Sequence, residues 1–423
     1  MNVVKTKNMP EWVRAFQRML YRAAKGKGSR RFGILYDKVC RWEVLAEAWK
    51  RVSQKGGSGG VDGQSIEQIE KEYGVERFLK EIQRELKEER YEAAAIRRVY
   101  IPKGDGGQRP LGIPTIKDRV IQMAVKLIIE PLFEADFLEV SYGFRPKRSA
   151  QEAVQEVHRT INRRKWVVDI DLRSYFDTIP HDRLMERVRQ RVSDPKVLHL
   201  IRCWLKAGIM EAGVVQSVLS GTPQGGVLSP LLSNIYLHEL DQRLSQGNGK
   251  LIRYADDLVI LCWSRKEAER VLQKVQTALK EMGLELNEDK TRICHVEEGF
   301  DFLGFTFREG YSQRWKRNVS VKYPRYKSMQ AIGRRIKDTI KSFPLGRPVG
   351  EVISKVNVMV RGWANYFRIG HSYAAALHLT ERVCEQLRIY CRRRHQRKDM
   401  RGHQRWPNAF FYQQGLRYVP HLL

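Results

Sequence analysis

The sequence is short of acid, has no paired cysteines and no long apolar run, and each shortage excludes something. Its six cysteines (Cys40, Cys203, Cys262, Cys294, Cys384, Cys391) are scattered, with no Cys-x-x-Cys. That spacing argues against a zinc site and against a disulfide framework. No apolar run approaches the roughly 18–20 residues that a membrane-spanning helix needs. The first residues, Met1–Trp12, have no signal-peptide core, so the expected localisation is cytoplasmic. Asp and Glu number 48 against 77 Lys and Arg, and the excess of +29 is spread along the whole chain. Such a field binds polyanions, and nucleic acid is the expected one. What is not lacking is core: 423 residues with 42% hydrophobic content suffice for two or three packed domains. No internal repeat is present.

Chemistry concentrates first in Leu251–Cys262, where Asp256 and Asp257 interrupt an apolar, β-branched run. Leu251–Tyr254 and Leu258–Cys262 read as two buried strands, with Ala-Asp-Asp as the reversal between them. Adjacent carboxylates repel and perturb each other's protonation, which a hard divalent cation such as Mg²⁺ relieves. An isolated Asp-Asp is more often ordinary turn chemistry. A second acidic strand changes the balance. In Trp166–Leu172, Asp169 and Asp171 alternate with apolar residues and share one face. Three carboxylates converging from two strands onto two cations would suit an in-line phosphoryl displacement; the period-2 pattern does not separate Asp169 from Asp171.

The remaining chain reads as alternating helices and strands. Residues 1–38 are basic, and the stretch around Lys25–Arg31 reads as too charged to pack except on a partner. Helical periodicity runs from Trp42 and again over much of Ser65–Arg90, broken near Gly74. Ile96–Ile101 and a following short strand flank a turn, Lys103–Arg109, that is either a solvated loop or a phosphate contact. A helix over Thr115–Phe133 is expected to end around Pro131, and another spans Ala150–Arg164. Ser220–Pro230, rich in Gly and Pro, feeds a helix with Ser229 as N-cap. A capping box at Ser264 opens a helix that Gly283 closes. Leu284–Lys290 reads as strand, and Phe300–Phe307 as one further aromatic strand. Beyond residue 310 three basic helices follow, at Lys327–Ser342, Gly350–Arg368 and Ala374–Arg397. The last runs into Arg392, Arg393, Arg394, Arg397 and Lys398, which with Tyr390 and Trp406 read as a basic, aromatic nucleic-acid surface.

Taken together, Gly59–Gly63, Ile101–Thr115, Tyr142–Pro146, Asp169–Asp177, Gly221–Ile235, Arg253–Asp257, Phe302–Phe305 and Arg361–Phe367 resemble, in order and spacing, the motifs of group II intron-encoded reverse transcriptases, or maturases. The resemblance implies an α/β (α+β) right-hand polymerase. Its expected divisions are a basic N-terminal extension over 1–40, fingers over 41–165, a palm of antiparallel sheet and helices with inserted finger elements over 166–310, a helical thumb or maturase domain over 311–400, and a short tail over 401–423. It implies Asp171, Asp256 and Asp257 as the catalytic, metal-binding triad. Asp171 is preferred to Asp169 by its distance from Phe176, which is similar to the gate against a ribose 2′-hydroxyl. Lys103, Arg109, Gln224 and Lys290 are the implied deoxynucleotide contacts. Two Mg²⁺ ions, with Mn²⁺ able to replace them, are the implied cofactors. The implied partners are structured intron RNA, an RNA template with a DNA primer, target DNA and deoxynucleoside triphosphates.

No paired-cysteine nuclease pattern follows the thumb, so no DNA endonuclease activity is expected. The expected function is RNA-directed DNA synthesis in retrohoming, together with assistance to splicing. Two alternatives stand beside it: a splicing cofactor with little polymerase use, and a domesticated polymerase in defence or repair.

Overall fold

The computed structural model describes residues 10–102, 107–211, 214–216, 220–222, 225–313, 315–396 and 402–423. It is a mixed α/β protein with a central sheet flanked by helices. Its strands, in chain order, are β1 (Ile96–Pro102), β2 (Gln108–Ile113), β3 (Trp166–Ile170), β4 (Ile209–Glu211), β5 (Val214–Gln216), β6 (Lys250–Tyr254), β7 (Asp257–Cys262), β8 (Arg292–His295), β9 (Phe300–Phe302), β10 (Phe305–Ser312) and β11 (Arg317–Pro324). They form sheets of order β2-β1-β4-β5, β6-β7-β3-β8 and β11-β10-β9. Two compact units result: Met1–Ser149 with Ile170–Ile260 and Lys266–Arg292, and Ala150–Asp169 with Leu261–Arg265 and Ile293–Leu423.

The first unit is built around the helix Ile116–Glu134, which is apolar almost all round and buried along most of its length. It ends at Glu134, one residue past the expected Phe133, with Pro131 accommodated in its last turn. Proline removes the amide that would bond the Leu127 carbonyl, and Gln17 Nε2 donates to that carbonyl instead, at 2.8 Å. Gln17 belongs to the helix Glu11–Gly26, so this part of the basic N-terminal stretch packs on the chain itself, while Lys25–Arg31 is exposed. Val13, Leu20 and Ala24 are buried.

Antiparallel β1 and β2 pair from Arg97 and Ile113 to Pro102 and Gln108, with β4 parallel to β1. A buried chain of polar groups runs from Trp204 Nε1 to Tyr91 Oη at 2.7 Å and from Tyr91 to Asp118, which also accepts from the Thr115 hydroxyl at 2.7 Å. The break near Gly74 is as expected: Gly74 has φ +89 and separates a short helical segment from Val75–Lys87.

In the second unit, Phe300–Phe307 is two strands and not one. Leu303 (φ +47) and Gly304 (φ +81) make a two-residue hairpin loop in which both central residues are left-handed. The basic helices lie at Tyr326–Ser342, Val349–Phe367 and Tyr373–Arg394. They bury Ile332, Ile336, Val356, Val360, Leu379, Val383 and Leu387. Residues 402–423 add Phe411, Leu416 and Val419 to the same core. All six cysteines are free thiols, five of them buried. No helix among the described residues is long and apolar enough to cross a membrane.

Candidate active site

The reversal between β6 and β7 is a two-residue turn, Ala255-Asp256, and Asp257 is already the first residue of β7. Ala255 has φ +57, the sign that a hairpin turn asks of its first central residue and that a side chain resists. The surroundings hold it there. A Cβ on Gly143 would lie 2.4 Å from the Ala255 nitrogen, so the Tyr142–Pro146 segment can approach only through glycine. Tyr142 N donates to the Arg253 carbonyl and Arg253 N to the Val140 carbonyl, both at 2.8 Å. The Arg253 guanidinium then turns back beneath the tip and donates to the Ala255 carbonyl at 3.0 Å.

Asp171 follows directly on β3. Its carbonyl accepts from Asn287 N at 2.8 Å, and its amide lies 3.3 Å from the Thr291 hydroxyl. Leu284–Lys290 is therefore no strand. One bridge, Leu172 to Leu286, precedes a turn in which Lys290 N and Thr291 N return to the Asn287 carbonyl. That turn brings Lys290 Nζ to 3.8 Å from Asp171 Oδ2.

Burial pushes the Asp256 carboxyl above its ordinary range. The guanidinium of Arg109 opposes the shift, Asp171 adds to it as a like charge, and Arg253 opposes it more weakly. Asp171 and Asp256 thus lie in each other's field although their strands are far apart in sequence. Arg109, an exposed residue of β2, acts on Asp256 through its charge. The donor chemistry, hard oxygens sharing unfavourable negative charge, fits a divalent cation. Among the described residues no three His, Cys, Asp or Glu side chains are gathered closely enough to hold a metal by themselves. Asp257 is exposed at the start of β7.

Phe176 is half-buried on the one-turn helix Tyr175–Thr178, against the buried Tyr175 ring at 5.3 Å. Lys103, Gln224, Arg397 and Lys398 lie outside the described residues. The loop carrying Gln224 is anchored on both sides: Thr222 N donates to the Phe176 carbonyl at 2.6 Å, and Val227 N donates to Gln122 Oε1 at 2.9 Å. Its helix begins at Ser229, with Leu228 and not Ser229 as N-cap. Arg392, Arg393 and Arg394 occupy the last turn of their helix. The aromatic half of that surface is corrected. Tyr390 is fully buried and donates to the Pro344 and Arg347 carbonyls, and Trp406 is buried against His395.

Residues that the sequence reading missed are Arg253, Asp241, Asn234 and Gln122. Each is buried and polar. Arg253 and Asn234 fall within the motifs Arg253–Asp257 and Gly221–Ile235, and Asp241 and Gln122 are polar side chains at buried helix positions.

Residues 101–307 match the family model described as reverse transcriptase (RNA-dependent DNA polymerase), and residues 329–406 match the group II intron maturase-specific domain. Protein YkfC of Escherichia coli K12 is 38% identical over 330 residues, covering 68% of this chain and 86% of that protein. Group II intron-encoded protein LtrA of Lactococcus lactis subsp. cremoris is 29% identical, covering 81% of this chain and 71% of that one. A solved chain from a partial Cas6-RT-Cas1–Cas2 complex is 27% identical with a TM-score of 0.37, over 58% of this chain and 41% of that chain. The chain belongs to the group II intron-encoded reverse transcriptase/maturase family. It is an RNA-directed DNA polymerase of the kind that serves RNA splicing and retrohoming, and catalysis in this family is metal-dependent.

Proposed function

We propose that Asp171, Asp256 and Asp257 form the nucleotidyl-transfer centre of this polymerase and would hold two Mg²⁺ ions, with Mn²⁺ as a substitute. The observation that carries this reading is geometric: Asp171 directly follows β3, the sheet neighbour of β7, and β7 begins at Asp257 just after the tip residue Asp256. When bound, the cations activate the primer 3′-hydroxyl and neutralise the developing phosphate charge. The protein's own contribution is positioning and electrostatics. Arg109, Lys103 and Lys290 supply positive charge to the triphosphate of the incoming deoxynucleotide, where charge grows on the leaving pyrophosphate. Phe176 fills the space that a ribose 2′-hydroxyl would need, and Gln224 completes the nucleotide pocket.

The partners are structured group II intron RNA, an RNA template with a DNA primer, target DNA and deoxynucleoside triphosphates. A basic chain of +29 suits all of the polyanions among them, mainly through phosphate contacts and RNA shape. Arg392, Arg393, Arg394, Arg397 and Lys398 extend that grip on the nucleic acid. The divisions follow the family: extension 1–40, fingers 41–165, palm 166–310, thumb 311–400 and tail 401–423, in a cytoplasmic protein.

The test is extension of a DNA primer on an RNA template with deoxynucleotides and Mg²⁺, comparing the native chain with Asp256→Ala. Extension is lost in the variant while intron RNA binding stays nearly intact. Equal loss of both would overturn the assignment of Asp256 to chemistry.

A further inference from the structure

Phe176 has no position of its own making. It sits on a single helical turn that is entered through Ser174 in the left-handed region (φ +45). One turn of helix does not hold itself together in water. On one side it is pinned by Tyr175, whose buried hydroxyl donates to the Ser233 carbonyl at 2.9 Å. On the other side it is gripped by three residues of the glycine-rich loop. Thr222 N donates to the Phe176 carbonyl at 2.6 Å, Gly221 N to the Ile179 carbonyl at 2.9 Å, and the Ser220 hydroxyl to the Asp177 carbonyl at 3.1 Å. His181 Nε2 closes the arrangement on the Gly221 carbonyl at 2.6 Å.

Only glycine serves at position 221. Its φ is +93, and a Cβ would stand 2.8 Å from the Phe176 oxygen and from both Cα and O of Asp177. Further along, Gly225 lies against β2 with equal closeness: a Cβ there would be 2.3 Å from the Gly112 oxygen. Gly221 thus stands against the Phe176 turn, and Gly225 against the strand that carries Arg109.

We propose that Ser220-Gly221-Thr222, with His181, is a backbone latch that sets sugar selectivity by holding Phe176 in its discriminating position. These are positioning residues, acting through Phe176, and the inference rests on reading Phe176 as the gate against ribonucleotides. An exclusion made by contact fails when the excluding ring can retreat, since displacements near 1 Å at a positioned group change rates by about a hundredfold.

The experiment is single-nucleotide incorporation by the full chain on one primer–template, with a deoxynucleotide or the matching ribonucleotide, for the native protein, Gly221→Ala, His181→Ala and Phe176→Ala. Gly221→Ala raises the ribonucleotide-to-deoxynucleotide ratio of kcat/KM by about tenfold, in the direction of Phe176→Ala, and His181→Ala raises it less. A merely structural weakening lowers both efficiencies and leaves the ratio unchanged, which overturns the latch. If Gly221→Ala does not fold, as read by circular dichroism, His181→Ala decides alone. A shifted ratio in Phe176→Ala with none in the latch variants leaves the gate standing and overturns the latch. No shift in Phe176→Ala removes the gate, and the latch with it.

Discussion

Arg253 and Asp241 form a fully buried bidentate ion pair: Nε reaches Oδ1 at 2.7 Å and Nη2 reaches Oδ2 at 2.5 Å, with neither side chain exposed. The remaining guanidinium nitrogen serves the Asn234 side-chain oxygen at 2.9 Å and the Ala255 carbonyl. Asn234 in turn donates to the Gly143 carbonyl at 2.8 Å. Asp241 and Asn234 lie on the helix Ser229–Ser245, so the pair fastens the tip bearing Asp256 to a helix behind it. Removing Asp241 alone leaves an uncompensated buried cation, with a cost of about 3–5 kcal/mol, while an apolar replacement of both partners costs much less. Chemical denaturation of Asp241→Leu, Arg253→Met and the double variant checks this. Additive losses would show that the two groups do not act as a pair.

The Gln17 bond to the Leu127 carbonyl exists because Pro131 cannot make it. Gln17→Ala therefore destabilises by about 1 kcal/mol. In a Pro131→Ala background the restored amide satisfies Leu127, and the same Gln17→Ala change costs less. Equal costs in the two backgrounds, measured by urea denaturation, would break the link between proline and glutamine.

Lys290 stands 3.8 Å from an oxygen of Asp171 on a side chain that is more than half exposed. On the proposed contact with the triphosphate, Lys290→Met lowers kcat/KM for the deoxynucleotide at least about tenfold. Lys290→Arg recovers part of it. Unchanged nucleotide kinetics in Lys290→Met would assign the lysine to Asp171 alone.

His158 packs in the second unit with Nε2 at 3.0 Å from the Ser320 carbonyl and its ring beside His371. Burial lowers its pKa below the ordinary 6.5, and the nearby Lys322 and His371 act in the same direction, while the Ser320 bond opposes them. The folded state therefore keeps the ring neutral where the unfolded chain takes up a proton. Stability from this site is whole above 6.5 and falls as pH drops below it. The native Tm should decline more steeply below that pH than that of His158→Gln, which keeps the donor and does not titrate. Parallel curves would exclude the ring as the cause.

Local pattern in the sequence was enough for the elements whose partners lie nearby. Strand composition on either side of Ala255-Asp256 located β6 and β7 to within a residue, because β-branched runs and a short reversal are legible from spacing alone. The helices around Trp42, Thr115 and Val349 were legible for the same reason. Where the sequence misled, a distant group had taken over a backbone bond or a surface. Leu284–Lys290 was read as strand because the claim of Asp171 on Asn287 is not local. Tyr390 was read as exposed beside a run of arginines, while the carbonyls of Pro344 and Arg347 satisfy its hydroxyl inside the core. Composition and period by themselves determined that this chain is a basic, mixed α/β protein with acids set into two strands. Only the tertiary structure decided that Asp171 shares a field with Asp256, and that Arg253 turns inward to Asp241. Both depend on contacts between strands and helices far apart along the chain, which no local period encodes.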